Sequence, residues 1–79
     1  MKLTLDKAKK GVFYRVEALS TDRAMKARLR ELGLIEGTEI CCLRRGGGIS
    51  SYLIRGAQIA LRRETAADIC ISELRGESV

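Results

Sequence analysis

The residues of this chain that could do chemistry are three cysteines, ten carboxylates and fifteen lysines and arginines, and no histidine accompanies them. Without histidine there is no side chain poised to exchange protons near pH 7, no partner for a Ser-His or Cys-His nucleophile, and no imidazole to hold zinc. The carboxylates are interspersed with basic residues rather than set as an isolated pair, which reads as solvated surface charge. An enzyme is not expected.

The cysteines are Cys41, Cys42 and Cys70. An odd number, two of them adjacent, makes no disulfide framework, and free thiols are expected. If residues 38–45 form a strand, Cys41 and Cys42 point to opposite faces and cannot grip one metal together, while Cys70 could approach only one of them across neighbouring strands. The run Gly46-Gly47-Gly48 lacks the Gly-Lys-Ser/Thr ending of a phosphate loop and opens no helix, so it reads as a turn.

The elements that must position these groups are short. Seventy-nine residues are read as one domain, residues 1–79, and a chain of this size buries only about 60% of the surface that it exposes when unfolded. No apolar run approaches the roughly 20 residues of a membrane span, and the opening Met1-Lys2-Leu3-Thr4 carries no secretory pattern. A soluble, cytoplasmic protein is the expectation.

Proline is absent, and glycines divide the chain. They stand at Gly11, Gly33, Gly37, Gly46 to Gly48, Gly56 and Gly76. Residues 12–19 alternate as a half-buried strand, with Val12, Tyr14 and Val16 toward the core. Residues 21–32 change period: Met25, Leu29 and Leu32 share one helical face, and Arg23, Lys26 and Arg30 form a basic stripe on the other. Ser20 or Thr21 is the expected cap, with Asp22 complementing the helix dipole. Gly33 then ends the helix in a left-handed turn that folds Leu34 back on Leu29.

Residues 38–45, 51–55 and 58–62 read as three successive strands, with a turn at Gly56-Ala57 between the last two. Residues 63–68 suit a short second helix, and Ile69 and Ile71, with Leu74 beyond them, suit a closing strand. So few and such short strands must curl to cover their apolar face. The fold expected is mainly β: a small SH3-like β-barrel with one inserted amphipathic helix and a short second helix.

The stretch Arg28-Leu29-Arg30-Glu31-Leu32-Gly33-Leu34-Ile35-Glu36-Gly37-Thr38-Glu39-Ile40 has the form RL-x-x-LGL-x-x-G-x-x-I, and Gly56-Ala57-Gln58-Ile59-Ala60-Leu61-Arg62 is followed by Ala66 and Ile69-Cys70-Ile71. Both passages, in this order, resemble the FeoA family. Two turns depart from its usual pattern: Glu36 replaces a proline, and the triglycine replaces a Gly-Pro. The resemblance implies an SH3-like barrel in the cytoplasm, at the inner face of the membrane through its partner. That partner would be the ferrous-iron transporter FeoB, whose cytosolic part carries a GTP-binding domain. It also leaves room for weak binding of a divalent transition metal, iron above all, without assigning ligands. Arg23, Lys26 and Arg30, with Leu34 and Ile35 in the adjoining turn, are the expected partner-binding surface. The same barrel resembles the C-terminal domain of iron-dependent repressors, whose DNA-binding part needs more chain than this.

A net charge of +5 supports a second reading, a basic small barrel that binds nucleic acid. The aromatic platforms this would need are few: Phe13, Tyr14 and Tyr52.

Overall fold

The computed structural model describes residues 3–75, so Met1, Lys2 and the turn glycine expected at Gly76 lie outside the described residues. In chain order the elements are β1 (Leu3–Thr4), a single 3₁₀ turn (Leu5–Lys7), β2 (Phe13–Leu19), α1 (Arg23–Glu31), β3 (Glu39–Arg44), β4 (Ile49–Ile54), β5 (Ala57–Arg62), α2 (Arg63–Ala67) and β6 (Ile69–Arg75). The six strands form one antiparallel sheet in the order β1-β6-β2-β3-β4-β5. This is the mainly β architecture with two helices that the residue pattern predicts.

The sheet curls because irregular pairings interrupt its ladders, between Phe13 and Tyr14, between Val16 and Ala18, and between Cys42 and Arg44. Such shifts bend a strand and increase its twist. Helix α2 packs on both β5 and the 3₁₀ turn that follows β1, so it bridges the two edge strands. One side of each strand then faces a common core of Tyr14, Val16, Ile40, Cys42, Tyr52, Ile54 and Leu61, closed by Leu5, Leu29, Leu34, Ala66, Ile69 and Ile71. Alternation in the sequence identified most of these residues. Tyr14 is buried to the ring tip, and its hydroxyl accepts the Lys9 N–H at 2.8 Å, so the buried oxygen is satisfied.

Three local expectations are corrected. The helix cap is Asp22, not Ser20 or Thr21: its Oδ1 accepts the Met25 N–H at 2.8 Å, while the Ser20 N–H is drawn to the Asp68 carbonyl at 2.7 Å. Ser20 is thus still tied to the sheet, and the carboxylate serves as hydrogen-bond acceptor and dipole complement together. The β4–β5 turn is Arg55-Gly56, not Gly56-Ala57, since Ile54 pairs with Ala57 and both central residues have positive φ, 50° and 80°. That is the mirror-image turn that a two-residue hairpin needs. Leu32, expected in the core with Met25 and Leu29, is 45% exposed. The turn at Gly33 leaves Leu34 to cover Leu29 instead.

The helix ends as the sequence indicates. The Leu34 N–H reaches the Leu29 carbonyl at 2.8 Å and the Gly33 N–H reaches Arg30 at 2.9 Å, the two bonds of a Schellman ending. Gly33 has φ +91°, and a Cβ there would lie 2.8 Å from Cδ of Arg55. Gly33→Ala is therefore expected to cost about 1–2 kcal/mol from left-handed strain, with the Arg55 side chain displaced besides. A urea denaturation midpoint unchanged from the parent would refute this account of the turn.

Candidate functional site

The segment from Gly33 to Thr38 joins α1 to β3 and is fastened along its length. The Gly37 N–H donates to Val16 at 2.8 Å and the Val16 N–H donates to Thr38 at 2.9 Å, pinning the turn to β2. Thr38, 6% exposed, closes the turn on itself: its hydroxyl donates to the Gly33 carbonyl at 3.0 Å and accepts the Ile35 N–H at 3.2 Å. Sequence reading overlooked Thr38, although a threonine straight after a glycine turn is a known local hydrogen-bonding device.

This fixed turn shapes a groove of about 350 Å³ lined by Leu19 of β2, Lys26 and Arg30 of α1, and Leu34, Ile35 and Glu36 of the turn. Lys26 and Arg30 are four residues apart and stand on one face of the helix. Both are exposed. Leu34 is 0% exposed and forms part of the wall only from within the core, so it supports the groove rather than offering itself to a partner. Ile35 is different. It is 39% exposed, an apolar side chain held at the surface by its own backbone bonds to Thr38. The structure therefore brings together Lys26, Arg30, Leu34 and Ile35 of the five expected residues. Arg23, exposed one turn earlier on α1, does not line the groove.

A second groove runs between α1 and β5, with Met25, Leu29 and Leu32 on one side and Ala60 and Leu61 on the other. It explains where the unexpected exposure of Leu32 leads. No pattern in the chain showed it, because β5 meets α1 only through the fold.

The thiols are spread out. Cys42 lies in the core, and Cys41, also buried, faces the other side of β3 beside Phe13 and Leu53. Cys70 is half-buried on β6, and β2 separates β6 from β3, so β6 and β3 are not the neighbours that a Cys70 contact with either thiol would need. Burial pushes the Cys42 thiol up from its ordinary pKa, against the weaker opposing pull of Arg45, and keeps it protonated at neutral pH. Burial likewise raises Tyr52. Among the described residues no three Cys, Asp or Glu side chains are grouped so as to hold a metal ion. Nor is any described helix long and apolar enough to cross a membrane.

Curled sheet, bridging helix and lateral groove define a small SH3-like barrel. Residues 3–73 match the FeoA domain, and the chain belongs to the FeoA domain family. Among solved structures it is similar to the FeoA protein of Chlorobium tepidum, at 27% identity and a TM-score of 0.88, over 96% of this chain and 74% of that one. It is similar also to FeoA of Stenotrophomonas maltophilia complexed with zinc, described as a procaryotic SH3 domain protein, at 25% identity and a TM-score of 0.78, over 89% of each chain. A manganese-dependent transcriptional repressor shares the fold, with a TM-score of 0.84 at 22% identity, over 92% of this chain but 42% of the repressor. A search of curated protein sequences finds no match.

Two measurements test the site's framework. Thr38→Val keeps the side-chain shape but leaves the Gly33 carbonyl and the Ile35 N–H without their partner, for an expected loss of about 1–3 kcal/mol that Thr38→Ser largely avoids. Equal denaturation midpoints for Thr38→Val and the parent would contradict it. For pH, both raised groups are acids that the unfolded chain releases earlier than the folded one. Stability is therefore level below the ordinary thiol pKa of about 8.5 and falls as pH rises through the folded values. Cys42→Ala should reduce the drop in midpoint between about pH 7 and 9.5, and an undiminished drop would count against Cys42 as its source.

Proposed function

We propose that this chain is an accessory protein of bacterial ferrous-iron uptake that works by docking on the cytosolic, GTPase-bearing part of the transporter FeoB. Family membership supports the setting, and so does the similar Stenotrophomonas protein, put forward as a bacterial ferrous iron transport activating factor. The observation that carries docking is the groove: an exposed Ile35, held by its backbone bonds to Thr38, shares it with the cations Lys26 and Arg30 and with Glu36. An apolar anchor that loses little freedom on binding, ringed by charges that steer and select, is how small interfaces achieve specificity. In this reading the protein acts by contact and not by catalysis, in the cytoplasm against the inner face of the membrane. A divalent transition metal such as iron would bind weakly, through carboxylates or a thiol brought together by the partner.

The nucleic-acid reading is less well supported. Tyr14 and Tyr52 are both buried, so neither offers its ring to a base, and Phe13 is only partly accessible.

Binding to the FeoB cytosolic domain and to random DNA and RNA should be titrated from low to physiological salt. Saturable binding to the transporter domain that persists in salt is expected, with nucleic-acid binding that collapses. Ile35→Asp and the Lys26→Glu, Arg30→Glu pair should each weaken docking about tenfold or more while leaving the thermal midpoint in place. Unchanged docking in both variants would remove this surface. Salt-tolerant nucleic-acid binding with none to FeoB would overturn the function itself.

A further inference from the structure

A polar cavity of about 240 Å³ shares no residue with the grooves on α1. Its walls come from four places in the chain that the fold ties together, Asp6 among them. Arg45 and the glycines Gly46 and Gly47 follow β3, Ser50 and Tyr52 belong to β4, and Arg63 opens α2. The Arg63 N–H donates to the Gly48 carbonyl at 2.9 Å, which fastens the glycine loop beside the second arginine. Arg45 is tethered from the other side, its Nη2 donating to the Asp6 carbonyl at 3.2 Å.

The three glycines of the loop are not alike. A Cβ on Gly46 would fall 2.1 Å from the Ile49 carbonyl oxygen, so the turn itself demands glycine there. A Cβ on Gly47 or Gly48 would meet nothing within 4 Å, and neither residue is among those with positive φ. The fold has no need of glycine at these two positions. At Gly47 this leaves bare backbone in one cavity with Arg45 and Arg63. Among the described residues neither glycine's N–H is taken up by a backbone carbonyl.

Two arginine forks, of which Arg45 spends one N–H on the Asp6 carbonyl, with the open Gly47 amide and a hydroxyl, make a donor-rich wall of the kind that holds a multi-oxygen anion. Ser50 accepts the Gly46 N–H at 3.1 Å, and Tyr52 lines the cavity beside it. Asp6 lines the cavity too, but its carboxylate accepts from the Thr4 hydroxyl, and against two arginines it leaves the wall net positive. The cavity is roomy enough for a tetrahedral oxyanion with part of its hydration.

We propose that this cavity is an oxyanion site that takes a phosphate group, with Arg45 and Arg63 as its cationic ligands and the Gly47 amide and Tyr52 hydroxyl as neutral donors. The group could arrive as inorganic phosphate or as the phosphate end of a nucleotide whose base and sugar stay outside. The site does not depend on the docking surface.

The test is amide NMR of the full chain titrated with inorganic phosphate, then with a nucleoside monophosphate and triphosphate, at ionic strength held constant with sodium chloride. Saturable shifts centred on residues 46–50 and 63 are expected. Arg45→Gln with Arg63→Gln should weaken binding at least tenfold. Gly47→Val, which the fold has room for, should weaken it at an unchanged melting temperature. Equal affinity for phosphate and nucleotides identifies the free anion as the ligand, and tighter nucleotide binding identifies the phosphoryl tail; either upholds the site. Shifts that chloride reproduces, or that survive in the double arginine variant, overturn it.

Discussion

Between Leu29 and Thr38 the chain must end a helix, reverse, and enter a strand at the correct register, and it does so with nearly every backbone N–H in the turn bonded. The Leu34 N–H closes on Leu29, the Thr38 hydroxyl spans Gly33 and Ile35, and Gly37 and Val16 tie the whole to β2. Because β3 begins at Glu39, directly after this turn, its placement sets which face Ile40 and Cys42 present to the core. The same closure buries Leu34 and leaves Ile35 outside. One hydrogen-bonded turn therefore serves the core and the groove together.

A chain this short has little apolar surface to spend on anything but its single core. Every strand contributes one face, and the helices complete the cover from the sheet edges, Leu29 from α1 and Ala66 from α2. The charges follow from that constraint. With the inward positions apolar, the arginines and lysines of α1, the β3–β4 loop and α2 stand outside, where they are available to partners and ligands.

The chemistry of the protein is thus located on surfaces. Its thiols are separated by the sheet, and the most deeply buried of them is held protonated. What remains are two places where cations frame something else, an apolar residue in the α1 groove and bare backbone in the Arg45–Arg63 cavity. They have no lining residue in common, so binding at one need not exclude binding at the other.

Local periodicity and turn chemistry were enough to read the strand of Tyr14 and Val16, the span of α1, the Schellman ending at Gly33, the short second helix and the closing strand with Ile69 and Ile71. These depend on neighbours within a few residues, and side-chain type alone carries that information. The basic stripe and the turn beside it were legible for the same reason, since Lys26, Arg30 and Ile35 lie within ten positions. The exact cap, the Arg55-Gly56 turn and the exposure of Leu32 were not, because each was decided by a partner distant in sequence: Asp68 holding Ser20, the pairing of Ile54 with Ala57, and the competition between Leu32 and Leu34 for the cover of Leu29. The separation of Cys70 from Cys41 and Cys42, the groove between α1 and β5, and the meeting of Arg45 with Arg63 belonged to tertiary structure outright. Strand order and the curling of the sheet bring distant segments together, and no spacing along the chain encodes which strands become neighbours.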